Sequence, residues 1–227
     1  MMKNKIQIQL SILFTVIVAA DLISITADFT IVHLIAKPLL IPVLLVLLFV
    51  SKTVVPNKYL LLLGLFFSWL GDLFLLFENK NALFFIFGLA SFLITHVLYI
   101  FYFLKIKSIQ PSLLRKTPLL LLLITGYGVT LLWFLYPHLG ALKIPVIIYA
   151  TVICTMLLCS LHIYLKVNSP ANWFYIFGAL LFVLSDSLLA INKFHQPFAY
   201  AGFWIMLTYC AAQYFIVNGY LKQLPYE

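Results

Sequence analysis

Residues 181–194 read LFVLSDSLLAINKF. The segment is apolar on both flanks, yet Ser185-Asp186-Ser187 sits inside it. The chain has only six acidic residues, and one of them is here. If the segment crosses a membrane, a charge near the bilayer centre costs about 2.5–3.5 kcal/mol on insertion scales, so it needs a partner, a cavity or a role. Whether the rest of the chain also reads as membrane therefore decides the fold and the meaning of this aspartate.

Composition settles that point. Of 227 residues, 65% are hydrophobic and 9% are charged, against about 25% charged in a soluble domain. Mean hydropathy is +1.13, which places the chain outside the soluble class. An all-α, polytopic integral membrane protein is expected. The excess of 14 Lys/Arg over 6 Asp/Glu is read as basic loops that set orientation, not as a nucleic-acid surface. No nucleic acid and no protein partner is expected; membrane lipid surrounds the chain. Cys154, Cys159 and Cys210 all lie in apolar runs, form no CxxC pair and are read as packing residues. The opening MMKNKIQIQLSILFTVIVAA has the basic start and apolar stretch of a secretory signal, and is read as the first spanning helix.

A helix needs about 20 apolar residues to cross the hydrocarbon core. Eight stretches qualify: 7–27, 36–51, 58–77, 82–104, 117–135, 144–165, 171–191 and 197–219. The second is short and contains Pro42, which predicts a kink or an imperfect span. Thr117-Pro118 and Ser169-Pro170 read as N-cap plus proline pairs, and Pro38 and Pro145 fit a first helical turn. Short loops leave no room for a domain boundary, so residues 1–227 are expected to form one transmembrane domain.

With eight spans, one side collects Lys3, Lys5, Lys52, Lys58, Lys105, Lys107, Arg115, Lys116, Lys166 and Lys222, ten in all. The other collects Lys37, Lys80, Lys143 and Lys193, which is four. Both termini are then cytoplasmic. Internal similarity is also visible. GLFFSWLGDLFLL (Gly64–Leu76) resembles GALLFVLSDSLLA (Gly178–Ala190), each with Gly eight residues before Asp, and the two Asp are 114 positions apart. Either a four-helix unit is duplicated, or a Leu/Phe-rich sequence resembles itself by chance.

Asp72 lies 14 residues past Lys58 and Asp186 lies 14 past Asn172, where Lys58 and Asn172 stand near the starts of two outward-running spans. At 1.5 Å per residue both carboxylates sit about 21 Å along their helices, hence at similar depth in the outer half of the membrane. Asp21 reaches comparable depth in the first span, and Lys37 opens the second on the same side. An ion-pair network of one lysine with one aspartate is the plain alternative to a functional cluster. Three carboxylates against one lysine leave a like-charge conflict that a shared proton relieves, and a protonated carboxyl can act as a general acid. His96, with Tyr99 one turn on, reads as an interhelical hydrogen bonder or a ligand. His33, His138 and His195 lie at outer loops, and His162 lies near the inner end of the sixth span. No two histidines are four apart, and a zinc site would need three protein ligands, so no metal is expected. There is no Gly-rich phosphate loop, no GxSxG elbow and no cofactor fold.

These residues resemble the YhhN-like lysoplasmalogenase family of multi-pass membrane proteins over nearly the whole chain. The resemblance rests on AKPLLIPVLL (Ala36–Leu45), GDLFLL (Gly71–Leu76), FGLASFLITHVLYI (Phe87–Ile100), VIIYATVICTM (Val146–Met156), FGALLFVLSDSLLAINKF (Phe177–Phe194) and TYCAAQYFIVNG (Thr208–Gly219). It implies hydrolysis of the vinyl ether bond of lysoplasmalogens to a fatty aldehyde and a glycerophospho-head-group, with no cofactor. It points to Asp72 and Asp186 as the central acidic pair, and to Lys37, His96, Tyr99, Tyr149, Ser185, Ser187 and Gln213 as substrate-binding positions. Asp21 and Asn192 are candidate supporting residues. A bacterial inner membrane is the expected location. Vinyl ether hydrolysis needs an acid to protonate the β carbon, an anion beside the resulting oxocarbenium ion, and one water; two carboxylates in different environments meet that need. The alternative reading is a small proton- or cation-coupled transporter that uses Asp72 and Asp186 as ion sites.

Overall fold

A computed structural model describes residues 2–53 and 55–224, with side chains from Lys5 onward. The side chain of Lys3, counted above, lies outside the described residues. All regular structure among the described residues is helical. The α-helices are α1 (Met2–Thr26), α2 (Thr30–Phe49), α3 (Lys58–Leu76), α4 (Ala82–Lys105), the short α5 (Leu113–Lys116), α6 (Leu119–Leu135), α7 (Lys143–His162), α8 (Ala171–Ala190) and α9 (Ala201–Lys222). Seven of the long helices have the length and apolarity to cross a membrane, and the chain is an integral, multi-pass membrane protein. The exception is α9, the last of the eight segments expected to span. It carries Gln213, Asn218 and three tyrosines, Tyr209, Tyr214 and Tyr220. Such residues are tolerated at membrane depth where they face protein. Much of α9 is indeed buried, including Tyr209, Gln213 and Tyr220, and it packs against α8, α1 and α2.

Short connections make successive helices antiparallel neighbours. The closest pairs are α8 with α9, α3 with α4, and α1 with α2; α4 and α7 link the first two, and α2 packs on α3 and α9. The α8–α9 contact is tight because Gly178 has no side chain. A Cβ there would meet Ile216 Cγ1 at 2.7 Å and the backbone of Ala212 and Ile216 at 3.0 Å. Helix α6 lies at the periphery and turns leucines such as Leu119, Leu122 and Leu123 outward, where lipid is as apolar as they are. At the end of the bundle that holds the C-terminus of α9, the Tyr102 and Tyr175 hydroxyls both donate to Gln223 Oε1, at 2.9 and 2.6 Å.

Helix α2 departs from expectation. It begins at Thr30, six residues before the predicted start. Lys37 therefore does not open the helix, and Pro38 is not in its first turn; Pro38 and Pro42 are both interior. Proline at position 42 supplies no N–H to the Pro38 carbonyl four residues earlier. The Trp69 indole of α3 donates to that carbonyl at 2.9 Å, which satisfies the freed acceptor and joins the two helices. At the other end of α2, Lys58 Nζ donates to the carbonyls of Phe49 and Ser51 at 3.0 and 3.2 Å, as cations at helix C-termini do.

Other boundaries also shift. Thr117 and Ser169 make no capping bond; Asn81 and Ser112 do, accepting from Leu83 N and Leu114 N. Pro118 is the N-cap of α6, and the short α5 precedes it where only a loop was expected. Helix α8 continues as a π-helical turn over Ile191–His195, so α9 starts at Ala201, four residues later than expected.

Candidate functional site

At one end of the bundle α1, α2, α3, α8 and α9 surround a cavity of about 360 Å³. Asp72 and Asp186, on different helices, both line it. Asp72 is 2% exposed and its Oδ2 accepts from the Tyr209 hydroxyl at 2.7 Å. Asp186 Oδ2 accepts from the Tyr149 hydroxyl at 2.6 Å. Each carboxyl group thus has a phenol donor from another helix, a bond that fixes its orientation. Lys37, 8% exposed, lines the same cavity. Among the described residues no carboxylate lies within ion-pair distance of it: the one Lys–carboxylate pair is Lys193 with Glu78, while His33 and His96 place ring nitrogens near Asp21 and Asp186 respectively.

The other positions singled out in the sequence divide into two groups. Ser185 and Asn192 line the cavity, with the Ser185 hydroxyl donating to Ile205 O at 3.0 Å and Asn192 Oδ1 accepting from Phe198 N at 3.4 Å. The rest lie behind its wall. His96 is fully buried; neither ring nitrogen has a hydrogen-bond partner, and Nε2 is 3.7 Å from Asp186 Oδ2. Its ring meets Tyr149 and Phe182 edge to face at centroid distances of 5.4 and 4.7 Å. Ser187 turns away toward α6, where it accepts from Tyr127 at 2.7 Å.

Tyr99 and Gln213 belong to a layer one turn deeper. Tyr99 donates to Gln213 Oε1 at 2.8 Å, Gln213 Nε2 donates to Ser68 at 2.6 Å, and Ser68 donates to Thr95 at 3.2 Å. All four side chains are fully buried, so this network forms a closed polar floor. Asp21 lies behind His33, whose Nδ1 is 2.8 Å from Asp21 Oδ1.

Apolar groups complete the cavity: Ile25, Leu75, Phe92, Leu189, Ile205 and Met206. Asp186 and Leu189 also belong to the wall of a narrow apolar slot that reaches Phe85, Val146 and Phe194. The site therefore pairs buried acidic groups with an oily wall, suited to a molecule with a polar end and a chain. Among the described residues no three His, Cys, Asp or Glu side chains converge as metal ligands would.

Sequence reasoning missed Tyr209 and His33 as site residues. Both had a signal: Tyr209 is four residues before Gln213, and His33 four before Lys37, so each shares a helix face with a residue already singled out.

Fold and site together define a class, an all-helical multi-pass membrane protein with a carboxylate-lined pocket at one end of the bundle. Residues 32–220 match the YhhN family, and the chain belongs to that family. It is 34% identical over 165 residues to Lysoplasmalogenase TMEM86A of Bos taurus, covering 71% of this chain and 65% of that relative. It is 33% identical over 162 residues to Lysoplasmalogenase TMEM86A of Homo sapiens, covering 70% and 63%. Lysoplasmalogenase of Mycobacterium bovis is 31% identical over 153 residues, covering 62% and 53%. The chain thus spans just under two thirds of the length of the first two of these relatives. No solved structure matches it.

Proposed function

We propose that this protein hydrolyses the vinyl ether bond of a lysoplasmalogen, releasing a fatty aldehyde and a glycerophospho-head-group such as glycerophosphoethanolamine or glycerophosphocholine. The observation that carries the reading is the shared cavity: two carboxylates on different helices, each oriented by a tyrosine, face one space with an oily wall. The relatives' printed name, lysoplasmalogenase, agrees with it.

One aspartic acid protonates the β carbon of the vinyl ether. The resulting oxocarbenium ion is stabilised by the other carboxylate and captured by water, whose proton passes to a carboxylate. The hemiacetal then collapses to aldehyde and alcohol. The sum is addition of one water, and the proton given at the start is recovered, so the balance calls for no metal or cofactor. Lys37, Ser185 and Asn192 contact substrate or hold the carboxylates. His96 and Tyr149 position Asp186, while Tyr99, Gln213 and Ser187 act from behind the wall.

In this reading α9 is an eighth span, residues 1–227 form one domain, and both termini face the cytoplasm of a bacterial inner membrane. A duplicated four-helix unit is supported by Tyr99 and Gln213. They are 114 positions apart, the same offset as the two aspartates, and they bond to each other. The test of function is aldehyde release by the purified protein from a defined lysoplasmalogen. No aldehyde, with the protein folded, rejects the reading.

A further inference from the structure

One polar pair at the cavity is left without work by the chemistry above. Asp21 is fully buried. Its Oδ1 lies 2.8 Å from His33 Nδ1 and its Oδ2 has no hydrogen-bond partner. His33 is 26% exposed and lines the cavity that holds both aspartates. A carboxylate on Nδ1 fixes the ring and leaves Nε2 as the free polar atom. When both ring nitrogens carry a proton, Nδ1–H donates to that carboxylate and Nε2–H is available to an anion.

We propose that His33, positioned by Asp21, binds the phosphodiester of the substrate's head group; the proposal rests on the lysophospholipid reading above. Spacing along α2 supports it. Lys37 lies two turns into α2 and lines the cavity with the aspartates; His33 lies one turn nearer the start of the helix, about 6 Å away along the axis. In a glycerophospholipid, five bonds separate the ether oxygen from phosphorus, about 6 Å when extended at ordinary bond lengths. A vinyl ether at the aspartate layer thus places its phosphodiester at His33. Asp28 also lines the cavity and gives a countercharge to a head group that brings its own cation. Lys37 then stays with the carboxylates.

The probe is a saturated 1-O-alkyl glycerophosphoethanolamine, which has no vinyl group to protonate, titrated into the full-length protein in detergent. The matching 1-O-alkylglycerol lacks only the phosphodiester and head group. His33→Leu should weaken binding of the first about tenfold and leave the second within about twofold, the size of one lost charge-assisted bond. Asp21→Asn, which keeps its shape, should weaken the first in the same direction by a smaller factor. Equal loss for both ligands would make the pair merely structural and overturn the proposal, as would no loss for either. Millimolar inorganic phosphate should not displace the bound ether lipid; displacement would make the site one for free phosphate and overturn the lipid assignment. Aldehyde release by the unmodified protein is scored separately, so failure of the reaction and failure of this site are told apart.

Discussion

At the residue scale the two aspartates act through different neighbours. Asp72→Asn and Asp186→Asn should each lower kcat at least about a hundredfold, the lower end of acid–base contributions, while leaving the fold intact because asparagine has the same shape. Near-normal turnover in either would remove that residue from the mechanism. Tyr209→Phe and Tyr149→Phe each delete one donor, at 2.7 and 2.6 Å. Each should reduce kcat by about tenfold and cost about 1–3 kcal/mol of stability, since a buried acceptor is left unpaired; kinetics and thermal melts in detergent measure both. Lys37→Met separates its roles: a residue that serves the carboxylates loses kcat at nearly constant KM, and one that binds phosphate raises KM alone. With phosphate assigned to His33, the first outcome is expected.

At the scale of elements, close approach and repaired backbone hold the bundle. Gly178→Val should separate α8 from α9, because the atoms it would strike include the backbone of Ala212 and Ile216, which cannot swing aside. A Cβ at Gly126 would meet nothing within 4 Å, so Gly126→Ala should melt at or slightly above the parent temperature, alanine being the better helix former. Trp69→Phe should cost about 1–3 kcal/mol by leaving the Pro38 carbonyl without its donor. That same carbonyl shows why the start of α2 is not legible in the sequence. A lysine followed by a proline looks like a helix start. The donor that lets the helix run through is a tryptophan 31 positions away, and no local pattern contains it. The aspartate pair is legible because matched offsets along two helices are a local property. The pairing of Tyr209 with Asp72 is not legible, because it spans 137 positions.

At the scale of the whole molecule, apolar runs of membrane length make most of the helices readable in advance, whereas α9 combines such a length with polar groups that only an interior position accommodates. The proposed orientation has a direct check. A single cysteine placed near the C-terminus should resist a membrane-impermeant thiol reagent in intact cells and react after lysis, and one placed at Asn79, between α3 and α4, should do the reverse. Equal labelling of both in intact cells would reject cytoplasmic termini.

The floor of Ser68, Thr95, Tyr99 and Gln213 has a consequence for bioenergetics. Those hydroxyls and the amide satisfy one another beneath the aspartates, so a proton that reaches the carboxylates from the cavity meets a blind end. The proposed acid chemistry can then run in an energised membrane without short-circuiting it: vesicles carrying this protein should hold an imposed pH gradient as long as empty ones do.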